Sequence, residues 1–153
     1  MRTRWHSPSL EKLAKALGKA GNNGAVWFAL GVLLAVFDSS NREAWLVCAF
    51  LGPIAIGLNY AIKVVVKRPR PVLEGLPPLG GAPSSLSFPS AHATSSFAVA
   101  TAMTRVDPLG ALAFVLAFAL ALGRPYLGMH YPSDVLAGAV LGVLLGLLVP
   151  LSL

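Results

Sequence analysis

The sequence predicts an all-α protein embedded in a membrane: one helical bundle of about five transmembrane helices, preceded by an amphipathic helix at the membrane surface. Three observations predict it. Apolar residues make up 56% of the 153 residues, charged residues only 12%, and the mean hydropathy is +0.71; ordinary soluble domains carry about 25% charged residues. The apolar residues gather in runs over about 24–37, 44–66, 89–106, 108–122 and 133–153. None of these runs alternates apolar and polar residues as a half-buried strand would, and the short connections suit an antiparallel bundle. The length fits a single domain over 1–153. A net charge of +6 raises nucleic acid as a partner, but the basic residues flank apolar runs and are not interleaved with exposed aromatics, so no nucleic acid is expected.

Residues 7–20 have the pattern of an amphipathic helix. Ser7 can cap it and Pro8 suits its first turn. Leu10, Leu13, Ala14 and Leu17 share one face, while Lys12, Lys15 and Lys19 can face lipid headgroups. The segment GNNG, 21–24, ends it. No cleavable leader is expected, because the first twenty residues are polar and basic. The runs at 44–66 and 133–153 reach the roughly 20 residues of a full span. Those at 24–37 and 108–122 are shorter, about 14 apolar residues or 21 Å of helix. All five are read as spans. The last carries Gly138, Gly142 and Gly146 at four-residue spacing, a stripe that lets it pack closely against neighbouring helices of its own chain. The single cysteine, Cys48, lies in an apolar run and reads as a small buried hydrophobe. Residues 71–88 form the one long connection; four prolines and three glycines keep it from being regular helix. It is expected to shape a substrate entrance.

Three polar clusters interrupt the apolar runs. Lys63 and Arg70-Pro71 form the first, Pro89-Ser90-Ala91-His92 the second, and Arg124, His130 and Asp134 the third. Burying such groups costs several kcal/mol unless they have a partner or a task. Their chemistry fits a phosphate ester. Arg70 and Arg124 can grip phosphate oxygens bidentately, Lys63 adds a point charge, and Ser90 offers a hydroxyl. Pro89 is expected to start a helix whose first amides, those of Ser90, Ala91 and His92, would seat an anion. His92 stands at the same end as a candidate general acid. Asp134, four residues after His130, can accept its Nδ1–H and leave Nε2 as a nucleophile. A site crowded with Lys and Arg repels cations and lacks a ligand set for zinc, so neither metal nor other cofactor is expected. His6, in the polar tail, reads as structural.

These three elements, in this order, resemble the type 2 phosphatidic acid phosphatase family, the lipid phosphate phosphatases that share their site with vanadium-dependent haloperoxidases. The family pattern is Lys-x6-Arg-Pro, then Pro-Ser-Gly-His, then Ser-Arg-x5-His-x3-Asp. Lys63 to Pro71 matches the first element. Pro89 to His92 matches the second with Ala91 in place of Gly, and Gly123 to Asp134 the third with Gly123 in place of Ser. The resemblance covers about residues 44–150. It implies a haloperoxidase-like phosphatase core with His130 as nucleophile, Asp134 as its orienter and His92 as proton donor to the leaving group. It also implies that Lys63, Arg70, Ser90, Arg124 and the backbone near Ala91 bind the phosphate. The soluble haloperoxidases are much longer. A catalytically dead lipid-binding or transport protein is the alternative of another class, against which the complete reactive set argues.

Five antiparallel spans would bring all three clusters and the N-terminal tail to one membrane face. Leaving out Lys63, Arg70 and Arg124, that face holds Arg2, Arg4, Lys12, Lys15, Lys19, Lys67 and Arg68, against Arg42 and Arg105 opposite. The positive-inside rule then puts the site at the cytoplasmic face of a bacterial inner membrane. The stretch LSFPSAHATSS, 86–96, the short chain and the basic N-terminal helix are similar to the bacterial subgroup that dephosphorylates polyprenyl-phosphoryl-phosphoribose for cell-wall polysaccharide synthesis. Glycerophospholipid phosphates and polyprenyl diphosphate remain alternative substrates, since the motifs hold the phosphate and not the tail.

Overall fold

The computed structural model describes residues 6–72, 78–79 and 86–151. Six α-helices make up the fold, and the described residues include no strand. They are α1 (Pro8–Ala20), α2 (Ala25–Phe37), α3 (Arg42–Val66), α4 (Ala91–Val106), α5 (Ala113–Tyr126) and α6 (Pro132–Leu148). The all-helical expectation holds, and the apolar runs correspond to α2 through α6. The connection at 71–88 falls largely on residues outside those described.

The centre of the bundle is α4. Every residue from Ala93 to Met103 is buried, and the helix is wrapped by α3, α5 and α6. Its sequence, AHATSSFAVATAMTRV, explains this place: small Ala, Ser and Thr side chains let neighbours approach from all sides. The buried hydroxyls find partners. Trp27 Nε1 of α2 donates to Ser96 Oγ at 3.0 Å, and Asn59 Nδ2 of α3 donates to Thr94 Oγ1 at 2.9 Å. The run at 89–106 is therefore an interior helix with little surface left for lipid.

The glycine stripe of α6 lies against the backbone of α4, as the sequence suggests. A Cβ added to Gly138 would stand 2.6 Å from the Ser90 carbonyl oxygen. At Gly142 it would stand 2.5 Å from that of Thr94, and at Gly146 2.5 Å from that of Ala98. Glycine every fourth residue of one helix thus meets a carbonyl every fourth residue of the other. Arg105 NH1 closes this interface at its far end, donating to the carbonyls of Gly146 and Val149.

The α3 helix is 25 residues long, and α2 runs antiparallel along its first half only. Gly24 lies against Pro53, Gly31 against Ala49, and Asp38 accepts from Trp45 Nε1 at 2.9 Å. By itself α2 has 13 residues, about 20 Å of helix against about 30 Å of hydrocarbon. The remaining depth, towards the end that bears Lys63, is covered by α1. Its bend from the following stretch is 53°, and the two together are long and apolar enough for one span. Two unbroken stretches meet that criterion alone: α3, and Pro108–Tyr126, where a 3-10 turn leads into α5. By length and apolarity, two or three of the described stretches qualify as spans, with α6 a shorter apolar helix. Of the remaining helices, α4 is interior and α2 is short.

The apolar face of α1 is the expected one: Leu10, Leu13, Ala14 and Leu17 line a single groove beside α5. The tightest contacts of the helix use Ala14 and Gly18, the two buried residues, while Leu10 and Leu13 remain about half exposed along that groove. Small residues permit the approach to α5; the leucines flank it. Ser7 caps the helix as expected, its Oγ accepting from Leu10 N at 3.1 Å.

If close backbone contact holds α6 on α4, Gly142→Ala should lower unfolding stability by about 1–3 kcal/mol through overpacking. Gly57→Ala on the exposed face of α3, where an added Cβ meets nothing within 4 Å, should change it by less than about 1 kcal/mol. Thermal unfolding in detergent compares the two.

Candidate active site

The residues of the three polar clusters converge at one end of the bundle. Lys63 stands in the last turn of α3, Ser90 is the N-cap of α4, and Arg124 lies in the last turn of α5. His130 sits on the turn between α5 and α6, where Gly128 supplies a positive φ of 72° that an L side chain rarely adopts. Asp134 occupies the first turn of α6. Lys63, Arg70, Ala91, His92, Arg124 and His130 line a common cavity of about 180 Å³. Ser90 and Asp134 are fully buried behind that lining. The two halves of the site are joined by the Ser90 N–H, which donates to the Asp134 carbonyl at 2.9 Å.

That bond revises one expectation. The Ser90 amide is engaged, and α4 begins at Ala91 rather than at Pro89. The amides without acceptors inside the helix are therefore those of Ala91, His92 and Ala93. Ala91, where glycine would match the family pattern, lies within α4 and does not have a positive φ, so alanine suits it. Gly123 faces Ala14 of α1, and a Cβ there would meet it only at 3.8 Å.

The His130 ring lies between Arg70 and Asp134. Its Nε2 is 3.3 Å from Arg70 NH1. A guanidinium can only donate, so Nε2 is the unprotonated nitrogen and the proton is on Nδ1. Nδ1 is 3.5 Å from Asp134 Oδ2, adjacent to the carboxylate but beyond a hydrogen bond, and it finds no other partner among the described residues. The expected Asp134–His130 hydrogen bond is thus an approach and not a contact. The physical reason is competition. Asp134 Oδ2 accepts from Tyr131 N at 2.9 Å, closing the first turn of α6, and Oδ1 accepts from Arg68 NH1 at 3.0 Å. Burial first, then the charges of Arg70, Lys63, Arg124 and His92, hold the His130 imidazole well below its ordinary value of 6.5. It is therefore neutral near pH 7.

The cations are held in place by carbonyls and one sulfur. Lys63 Nζ donates to Leu86 O at 2.9 Å and Ser87 O at 3.3 Å, Arg70 NH1 to Met129 O at 2.6 Å, and Arg124 NH2 to Met129 Sδ at 2.7 Å. Two buried polar atoms of the cluster, Ser90 Oγ and Arg124 Nε, find no partner among the described residues. Nor do any three His, Cys, Asp or Glu side chains come together among them as a metal site would need.

Three contributors to this site are not apparent in the motifs. Arg68 makes the ion pair with Asp134, bonds Ser133 Oγ at 2.9 Å and lies over the Tyr131 ring. Only the spacing from Lys63 to Arg70 enters the family pattern, so Arg68 reads as one more surface charge. The second is the backbone carbonyl of Gly18, 2.9 Å from His92 Nε2. Carbonyl oxygens only accept, so Nε2 of His92 bears a proton. The third is the turn after α1, whose residues Gly21, Asn22 and Asn23 line the same cavity. Neither of the last two has a motif; the available signal is the three glycines at 18, 21 and 24.

Residues 42–153 match the model of the PAP2 superfamily. The decaprenylphosphoryl-5-phosphoribose phosphatase of Mycobacterium tuberculosis is 39% identical over 142 residues, covering 93% of this chain and 80% of that protein. The undecaprenyl-diphosphatase BcrC of Bacillus subtilis is 30% identical over 122 residues, covering 76% of this chain and 63% of that protein. The crystal structure of Aquifex aeolicus LpxE superposes with a TM-score of 0.78 at 27% identity, covering 95% of this chain and 87% of that one.

Removing the Arg68 side chain leaves the buried Asp134 carboxylate without its charge partner. Arg68→Ala should destabilise the protein by about 1–3 kcal/mol, a range reduced for the half-exposed arginine. A lowered thermal unfolding midpoint in detergent, absent for Lys67→Ala, is the expected result.

Proposed function

The chain belongs to the PAP2 superfamily of phosphatases, and from that premise we propose that it removes a phosphate from a membrane lipid, without a metal, through a phosphohistidine. The observation that carries this reading is the single cavity shared by two histidines and three cations. Lys63, Arg70 and Arg124 neutralise the phosphoryl oxygens, and the amides of Ala91 and His92 face the same anion from the start of α4. The unpartnered Ser90 Oγ and Arg124 Nε are further donors for it.

The neutral His130 ring presents the Nε2 lone pair to phosphorus. As the N–P bond forms, the bond to the leaving alkoxide breaks. His92 supplies the proton for that oxygen. Its Nε2–H is held by the Gly18 carbonyl, so the proton comes from Nδ1 once the bound phosphate anion offsets the neighbouring cations and the ring takes up a second proton. In the second step a water attacks the phosphohistidine, His92 takes its proton, and phosphate leaves His130 restored. Asp134 stabilises positive charge on His130 from 3.5 Å, and Arg68 fixes the carboxylate.

The substrate we favour is a polyprenyl-phosphoryl-phosphoribose, the class named for the Mycobacterium tuberculosis relative at 39% identity. Polyprenyl diphosphate is the second reading, supported by the Bacillus subtilis relative. We place the protein in the bacterial inner membrane with its site at the cytoplasmic face. Lys12, Lys15, Lys19 and Lys67 are all exposed at the site end or on α1, as the positive-inside rule asks.

His130→Ala should reduce phosphate release from lipid phosphates by at least about 10³-fold. Vanadate should inhibit the unaltered enzyme and chelators should not. Phosphate release that survives the substitution would overturn the mechanism. For orientation, single cysteines replacing Lys67 and Ser40 are exposed near opposite ends of α3. In intact cells a membrane-impermeant thiol reagent should label the one at 40 and spare the one at 67; the reverse pattern would place the site outside.

A further inference from the structure

The match to the family model starts at Arg42, but one wall of the cavity comes from earlier in the chain. Gly21, Asn22 and Asn23 line it together with the histidines and cations. We propose that this turn is the binding site for the leaving alcohol, and that it takes a neutral, hydroxyl-bearing group such as a sugar in preference to the second phosphate of a diphosphate. The inference rests on the phosphatase reading and on His92 as its general acid.

Position is the first argument. His92 lies directly against the turn: Nε2 is 2.9 Å from the Gly18 carbonyl, and a Cβ on Gly21 would stand 2.9 Å from His92 Cδ2. The turn thus packs against the Nε2–Cδ2 edge of the proposed general acid, and both line the cavity in which the leaving oxygen departs. Glycine at 18 and 21 is what allows this approach, since a Cβ on Gly18 would meet Arg124 NH1 at 2.6 Å. The turn is also defined in its backbone. Asn23 at φ 55° and Gly24 at φ 74° are both left-handed, a conformation that asparagine tolerates better than most residues.

Chemistry is the second. A carboxamide both donates and accepts, and so does a hydroxyl. A phosphate only accepts and carries charge, so its natural partner is a cation. The three cations of the lining already surround the scissile phosphate. No Lys, Arg or His occurs anywhere in 71–88, so that segment adds none. Of the other cations near this end of the bundle, Arg68 is paired with Asp134, and Lys19 and Lys67 are exposed; none of the three lines the cavity. A second phosphate would meet two uncharged amides.

Size is the third. A volume of about 180 Å³ equals roughly six waters at 30 Å³ each. That is room for a phosphoryl group and a compact ring, with the lipid tail outside.

The test uses the full chain in detergent and three probes: a short-chain prenylphosphoryl-5-phosphoribose, farnesyl diphosphate and dioctanoyl phosphatidate. The unaltered enzyme should prefer the first by kcat/KM. In Asn22→Ala and Asn23→Gly, the ratio of kcat/KM for the phosphoribose to that for the diphosphate should fall about tenfold, the factor carried by one lost hydrogen bond. Asn23→Gly keeps the left-handed backbone, so its unfolding midpoint should stay near that of the unaltered protein. Ratios that change by less than about twofold, or an initial preference for farnesyl diphosphate, would overturn this inference and leave the phosphatase reading intact. Failure to release phosphate from any probe would instead remove the phosphatase reading, and this inference with it.

Discussion

The contact between the glycine stripe of α6 and the carbonyl row of α4 sets the geometry of everything else. Gly138, Gly142 and Gly146 bring two backbones together at 90, 94 and 98. At the end of that interface the Ser90 amide meets the Asp134 carbonyl. His130 and Asp134 precede or begin α6, and Ser90 and His92 begin α4. Without the close approach, the two histidines would belong to separate surfaces. In a bilayer no hydrophobic force distinguishes helix from lipid, so packing of this kind must supply the specificity that burial supplies in water.

The electrostatics follow from the same crowding. Lys63, Arg70 and Arg124 share a space with one buried carboxylate, and that carboxylate already pairs with Arg68. Among the described residues, neutral acceptors help to position these cations: the carbonyls of Leu86, Ser87 and Met129 and the sulfur of Met129. The cations lower the proton affinity of His130 and suit the site to an anion.

The parts of this architecture that were legible in the sequence are those carried by side chains. Besides two prolines the clusters name eight candidate site residues; six line one cavity, and Ser90 and Asp134 are buried behind them. The helical class followed from composition, and the packing role of the glycine stripe from its spacing. What was not legible is carried by backbone or by choice among equals. Nothing in KVVVKRPRP says which arginine faces Asp134 and which faces His130. The interior place of α4 was not legible for a related reason: hydropathy does not separate a helix that faces lipid from one that faces other helices. The entry of α1 into the site rests on a carbonyl, which every residue possesses.

This last feature bears on how such a site diverges. Because His92 is met by the main chain of Gly18 and not by a side chain, nearly all of the outer surface of α1 is free to vary without disturbing that contact. Only the small residues at 14, 18 and 21 are constrained by space. The helix can therefore acquire new charges, or new depth in the bilayer, while its grip on the reaction chamber stays the same. An element of this kind lets descendants of one enzyme adapt to different membranes and different lipid tails, with the phosphate chemistry left untouched.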